Sequence, residues 1–241
     1  MRRASFELPG PWPGVAHRVT TRAFGNLSLT CGAFGDPLPA RRRLAGELGL
    51  GLEDLVMTGL VHGRDVARAT SGDRGRGARD RDVLAAADAV WTTDPDLWLM
   101  VTSADCYPVL VAGPGVVGLA HAGWRGVLAG VVPALVEAIA RGAGLAPARL
   151  RVGIGPGIGA EHFELGHEEC AAFHAAGHGA RVSGRRVDLR GVLEDQARAA
   201  GVGALASPPL CTWAEPARFY SYRRERGRTG RFGLAARLLP R

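Results

Sequence analysis

Three side chains able to hold a metal or act as nucleophiles stand just beyond apolar runs. They are His62 in Val61-His62-Gly63, Cys106 in Ser103-Ala104-Asp105-Cys106-Tyr107-Pro108, and His121 in Ala120-His121-Ala122-Gly123-Trp124-Arg125-Gly126. Two imidazoles and a thiolate match the donor number used where zinc keeps a fourth position open for water or substrate. The same atoms also describe a Cys–His nucleophilic pair. The three lie far apart in the chain, without the short CxxC or HxxxH spacing of a local zinc motif. A buried thiol and two hydrogen-bonded His residues fit that spacing at least as well.

Other motifs carry weaker chemistry. Gly123-Trp124-Arg125-Gly126 opens an apolar helical pattern, and amides at a helix start beside an Arg suit an anion; helix capping with an exposed Arg is the plain alternative. Gly155-Pro156-Gly157-Ile158-Gly159-Ala160 formally fits GxGxxA, yet Pro156 removes a loop amide and no acidic residue ends a strand at the expected distance. That loop reads instead as a close backbone approach lining a pocket. The stretch Phe219–Arg231 mixes aromatics with Arg, as a stacking nucleic-acid tail would, but it leads into an amphipathic pattern over Phe232–Leu239 that predicts a folded helix. His174 and His178 are four apart, but Gly177 and Gly179 break the helix they would need, which makes them surface residues.

Strands and helices must position these groups. Apolar, β-branched runs predict strands at Val15–Thr21, Leu55–Val61, Leu97–Thr102, Tyr107–Ala112, Val116–Ala120 and Leu150–Ile154. Gly113-Pro114-Gly115 joins two of them as an antiparallel hairpin, so the sheet should be mixed. Helical periodicity covers Pro39–Leu50, Trp124–Ala140 and Leu189–Ala200, and Pro133 should kink the second helix or mark its first turn. The Gly-, Arg- and Asp-rich stretch Ser71–Asp82 is an exposed loop. The expected fold is α/β: one layered domain over 1–241 with a mixed sheet.

Composition narrows the function. The chain has 241 residues, 46% of them apolar, and its 30 cationic side chains are all Arg. Without Lys it has no Schiff-base lysine, no pyridoxal phosphate anchor and no GxxxxGK[ST] loop. The formal charge of +7 is spread along the chain and accompanies abundant Ala and Gly, so it reads as compositional bias and not as a nucleic-acid surface. No apolar run follows the charged start Met1-Arg2-Arg3, which argues against a signal peptide, and no run is long enough to span a membrane. Four Cys without a CxxC pair suggest a reducing, cytoplasmic setting.

Taken together and in order, Val61-His62-Gly63, Ala104-Asp105-Cys106-Tyr107-Pro108-Val109-Leu110, His121-Ala122-Gly123-Trp124-Arg125-Gly126, Gly155–Gly159 and Ser221-Tyr222-Arg223-Arg224 resemble the purine nucleoside phosphorylase family formerly called polyphenol oxidase or multicopper laccase, which includes the peptidoglycan editing factor. The resemblance runs from Val19-Thr20-Thr21-Arg22 nearly to the C-terminus. It implies a fold similar to the catalytic domain of cytotoxic necrotizing factor. It also implies a zinc held by His62, Cys106 and His121, and phosphorolysis of adenosine, inosine and methylthioadenosine with adenosine deamination as a further activity. The chain departs from the family in three places: Leu60 replaces a Gln, Tyr107 replaces a Leu and so adds a phenol near the metal, and the Ser221–Arg231 block carries one extra residue.

Under that resemblance Arg22, Arg125 and Arg223 are the phosphate candidates, because guanidinium forks match phosphate oxygens. Asp105 should point away from Cys106 on an extended strand, so it is cast as an acceptor orienting a His or as a contact to ribose or base. The partners are then a nucleoside and phosphate, with a monomer bound to neither nucleic acid nor membrane. Seven His residues with no HxH pair argue against multicopper oxidation, although the same ligands could take copper adventitiously. The rivals are a metal-free Cys–His hydrolase or amidase acting on cell-wall precursors and, further off, a noncatalytic nucleic-acid-binding protein.

Overall fold

The computed structural model describes residues 4–240; Met1–Arg3, where the chain's charged start lies, and Arg241 fall outside the described residues. In chain order the strands are β1 (Ser5–Phe6), β2 (Val15–Thr20), β3 (Leu55–Val56), β4 (Val66–Arg68), β5 (Ala89–Thr92), β6 (Trp98–Ser103), β7 (Tyr107–Gly113), β8 (Val116–Ala122), β9 (Arg151–Ile154), β10 (Val182–Ser183), β11 (Arg186–Val187), β12 (Ala204–Ala206) and β13 (Phe232–Leu238). The α-helices are α1 (Pro37–Glu47), α2 (Trp124–Ala129), α3 (Val131–Ala143), α4 (His167–Ala175) and α5 (Leu189–Ala199).

A single sheet was the expectation; the strands form two main sheets and a small hairpin. One sheet has the order β1-β2-β13-β6-β3, the other β12-β9-β7-β8-β5-β4, and β10 pairs with β11. Both main sheets are mixed: β3 runs parallel to β6, and β4 to β5 and β12 to β9, while the remaining pairs are antiparallel. The alternation of side chains along each strand builds the layers. Leu99 and Val101 of β6 and Leu234 of β13 meet Leu110 of β7 and Leu119 of β8 between the sheets. The opposite faces carry Trp98, Met100 and Ala235 against Leu44 and Ala45 of α1. Val109, Val111 and Ala120 pack on Leu135 and Ile139 of α3 and Leu193 of α5. The result is four layers, helix–sheet–sheet–helix, with the central strands buried on both faces.

Double burial explains the largest departure from expectation. Phe232–Leu238 was expected as a helix, yet it is the middle strand β13, hydrogen-bonded antiparallel to β2 and β6. A strand buried on both sides, here with Arg237 as its one charged residue, shows no regular alternation, so its pattern does not distinguish it from a helix. The helix expected over Trp124–Ala140 breaks at Gly130, which sits in the left-handed region at φ 83° and divides α2 from α3. Pro133 therefore occupies the first turn of α3, where no intrahelical acceptor needs its missing N–H. Among the described residues no helix is long and apolar enough to cross a membrane.

Candidate metal centre and its cavity

The β7/β8 hairpin assembles half of the site. Pro108 on β7 faces His121 on β8, so Cys106, two residues before Pro108, is the diagonal neighbour of His121. His62 comes from elsewhere. The expected strand Leu55–Val61 stops at Val56, and the chain continues as a loop in which Leu60 (φ 48°) and His62 (φ 64°) are left-handed. This turn brings the His62 ring to 4.9 Å from that of His121, edge to face. Donor atoms of His62, Cys106 and His121 all lie within 4.8 Å of one another. Gly123 is required beside them, because a Cβ there would stand 2.8 Å from His62 Cδ2 and 3.0 Å from Cys106 Sγ.

One buried carboxylate holds two of the three groups. Asp88, at the foot of β5, pairs through Oδ1 with His121 Nδ1 at 2.9 Å and accepts the Gly63 N–H through Oδ2 at 2.6 Å. It thus orients one imidazole directly and the other through its neighbour's backbone. With Nδ1 engaged, Nε2 is the nitrogen His121 offers to the cluster. Burial alone would raise the Asp88 pKa, but the His121 and Gly63 hydrogen bonds outweigh it and hold the carboxyl below its ordinary range. Burial also pushes the Cys106 thiol up, and the His121 and His62 interactions pull it down further, to about 6. For His121, burial disfavours the charge, while Cys106 and Asp88 drive the pKa upward.

The cluster opens into a cavity of about 670 Å³. Arg125 and Arg223 line it. The Arg125 guanidinium lies 4.3 Å over the Trp124 ring, and Arg223 Nη2 donates to Glu164 O at 3.0 Å with its guanidinium over Phe163. Arg22 is not among the lining residues; it is ion-paired to Glu225 and stacked over Tyr220. Asp105 lines the cavity at φ 91° but does not orient a His. Its Oδ1 accepts the Thr212 hydroxyl at 2.6 Å and its Oδ2 accepts the Arg223 N–H at 2.7 Å. The Tyr107 phenol also lies away from the cluster: it donates to Ile158 O at 2.7 Å, and burial raises its pKa. The Gly155–Gly159 loop does make the close approach expected of it, but onto Pro108 and Tyr107 and not along the cavity.

Asp88 escaped the sequence reading. It is the one charged residue in Ala85-Ala86-Ala87-Asp88-Ala89-Val90, directly before an apolar strand, and that position was a usable signal.

The model of the family described as multi-copper polyphenol oxidoreductase laccase matches residues 26–238. The chain belongs to this family. A purine nucleoside phosphorylase of Deinococcus radiodurans is 36% identical to it, over 93% of this chain and 89% of the relative. The adenosine deaminase RL5 from an unknown prokaryotic organism is 32% identical, over 88% and 89%. The crystal structure of YlmD from Geobacillus stearothermophilus superposes with a TM-score of 0.90 at 29% identity, covering 100% of this chain and 98% of that one. The family's fold is thus the mixed α/β arrangement described above. Copper enters through the family's description, whereas the donors present here form a single group of three among the described residues.

Proposed function

We propose that the chain, as one catalytic domain over 1–241 and a cytoplasmic monomer, is a zinc-dependent purine nucleoside phosphorylase. Its substrates would be adenosine, inosine or methylthioadenosine together with phosphate. The observation that carries this reading is the convergence of two imidazoles and a half-buried thiol on the wall of an Arg-lined cavity. Relatives across nearly the whole chain bear the same activity in their names. Two imidazoles and one thiolate suit zinc, and one three-donor group suits one ion, not several coppers. When bound, such an ion would supply Lewis acidity at the wall of the cavity.

The chain's own residues supply the rest. Phosphorolysis forms a bond between a phosphate oxygen and the sugar C1′ and breaks the bond from C1′ to the purine nitrogen. Arg125 and Arg223 bind and orient the phosphate; the Trp124 ring and Glu164 carbonyl fix their guanidinium planes, which lowers the entropy lost on binding. Asp105 acts by position: with both oxygens engaged, it anchors the Arg223 backbone next to Cys106. Asp88 keeps His121 in the tautomer that offers Nε2.

Two other readings have specific support. A relative named adenosine deaminase supports deamination as a side activity of the same centre. The depressed Cys106 thiol beside His121 supports a metal-free Cys–His hydrolase. Elemental analysis, combined with chromatography of adenosine incubated with and without phosphate, separates all three. The expected result is about one zinc per chain and adenine release that requires phosphate. Phosphate-independent inosine would indicate deamination, and full hydrolytic turnover after thorough zinc removal would establish the thiol enzyme.

A further inference from the structure

The cavity holds more positive charge than the cluster side explains. Arg41, Arg81 and Arg231 line it in addition to Arg125 and Arg223. Among the described residues none of these five is in an ion pair. Hydrogen bonds sort them into two groups. Arg223 is tied to Asp105 beside Cys106, and Arg125 follows Gly123, which packs on Cys106. Arg41 instead donates to Leu27 O at 2.9 Å and to Gly77 O at 2.6 Å. The Leu27 N–H is bonded to Arg231 O at 3.0 Å, and the Gly77 N–H to Asp82 O, next to Arg81, at 2.6 Å. Arg41, Arg81 and Arg231 are thus linked through adjoining backbone, and the Arg231 guanidinium, which donates to Thr229 O and Gly230 O, lies 5.6 Å over the Tyr222 ring that faces the same cavity.

Little in the cavity neutralises them. The carboxylates lining the cavity are Asp80, which accepts the Asp82 N–H, and Asp105, whose two oxygens are engaged. Arg41 is only 2% exposed and is surrounded by neutral carbonyls. Burial lowers its pKa to about 10, so it stays charged at neutral pH. A buried cation without a counter-charge is destabilising, and an anion within reach relieves it through charge-assisted hydrogen bonds. Thr58 lines the same cavity with a buried hydroxyl that has no hydrogen-bond partner.

We propose that Arg41, Arg81 and Arg231 form a second anion subsite, which takes a tetrahedral phosphate group. The group is either free orthophosphate or the terminus of a phosphomonoester extending from the cluster side. The second source rests on the nucleoside reading above; the first does not.

Calorimetric titration in phosphate-free buffer decides the matter, with orthophosphate, adenosine and adenosine 5′-monophosphate as probes. The proteins are wild type, Arg81→Ala, Arg81→Ala/Arg231→Ala and Arg125→Ala. Arg81 is exposed, so its single variant leaves the core untouched and carries the test alone if the double variant fails to fold. If the source is a phosphomonoester, the monophosphate binds about tenfold or more tighter than adenosine; the margin disappears in Arg81→Ala and survives in Arg125→Ala. If the source is orthophosphate, the monophosphate has no advantage, but Arg81→Ala weakens orthophosphate binding about tenfold while Arg125→Ala retains one site. That result, with no adenosine binding in any variant, would sink the nucleoside reading and leave the subsite standing. If no phosphate-bearing probe responds to Arg81→Ala or to the double variant, the subsite does not exist.

Discussion

The β7/β8 hairpin and the cavity wall it leads into obey different physics. From Tyr107 to Ala112 and from Val116 to Ala122 every residue is buried, the ladder is regular, and the Val, Leu, Ala and Tyr side chains pack into the inter-sheet core or the helix layer, while His121 turns to the cluster. The adjoining wall is built largely from loops. Four non-Gly residues among those described have positive φ, and three of them, Leu60, His62 and Asp105, line the cavity. Such conformations cost on the order of 1–3 kcal/mol each and persist only where the surroundings enforce them. Here the enforcement comes from two carboxylates, Asp88 and Asp105, each bonding a side chain with one oxygen and a backbone N–H with the other. The hairpin is held by packed area; the wall around the cluster is held by two polar tethers. Stability and function should therefore separate on mutation.

The sharpest separation is expected at Cys106. Cys106→Ala removes one of three donors while taking little from the core, so bound zinc and turnover should both fall to background, with the thermal midpoint of the metal-free protein at pH 6, where the thiolate adds little, nearly unchanged. An active, metal-free Cys106→Ala protein would break the distinction. Leu135→Ala runs the other way. Leu135 is fully buried between α3 and the sheet, and truncation there should cost about 2–5 kcal/mol in denaturant unfolding. Zinc content and KM at a permissive temperature should stay at wild-type values. A change in metal content would mean that core packing reaches the cluster after all.

The same contrast sets what was legible in the sequence. The hairpin stood out as two Val-rich runs around Gly113-Pro114-Gly115, and both its partners and its register follow from that. His62, Cys106 and His121 were visible as donor types at the ends of apolar runs, and they do converge. The second sheet was not legible, because β13 is buried on both faces and joins β2 to β6 from the far end of the chain. Asp88 was missed: its place directly before β5 was a signal, but nothing named its partner, since a lone carboxylate among alanines gains its role only when His121 is brought against it. Arg22 illustrates the reverse: its chemistry suited phosphate, but Glu225, 203 residues away in sequence, claims it. Long-range polar pairing of this kind leaves no periodic trace.

Asp88 tests the tether itself. Asp88→Asn keeps the shape but removes the charge that favours the bound tautomer of His121, and the lost charge should lower zinc affinity about 10–100-fold in chelator competition. Because the amide can still accept the Gly63 N–H, unfolding free energy should change less than for Leu135→Ala. Unaltered zinc affinity would show that packing, and not the carboxylate, orients the imidazole.

The smallest effect is a proton equilibrium confined to the wall. In the metal-free protein, the imidazoles of His121 and His62 hold the Cys106 thiol near pH 6 against the opposing pull of burial. A group whose folded pKa is depressed adds stability above its unfolded value, about 8.5 for a thiol, and loses it as pH falls through the folded one. The Cys106 contribution should accordingly be complete above about pH 8.5 and gone well below pH 6. Alkylation by iodoacetamide, with Cys106→Ala as the blank for the other three thiols, reads the thiolate directly. The Cys106 rate should be flat at neutral pH and decline as pH drops past 6. Asp88→Asn should move that midpoint upward, since His121 then holds its proton less firmly and offers the thiolate less positive charge. A midpoint at the ordinary thiol value of about 8.5 in the wild type would mean that the imidazoles do not stabilise the thiolate, and the cluster would be ordinary packing like the hairpin beside it.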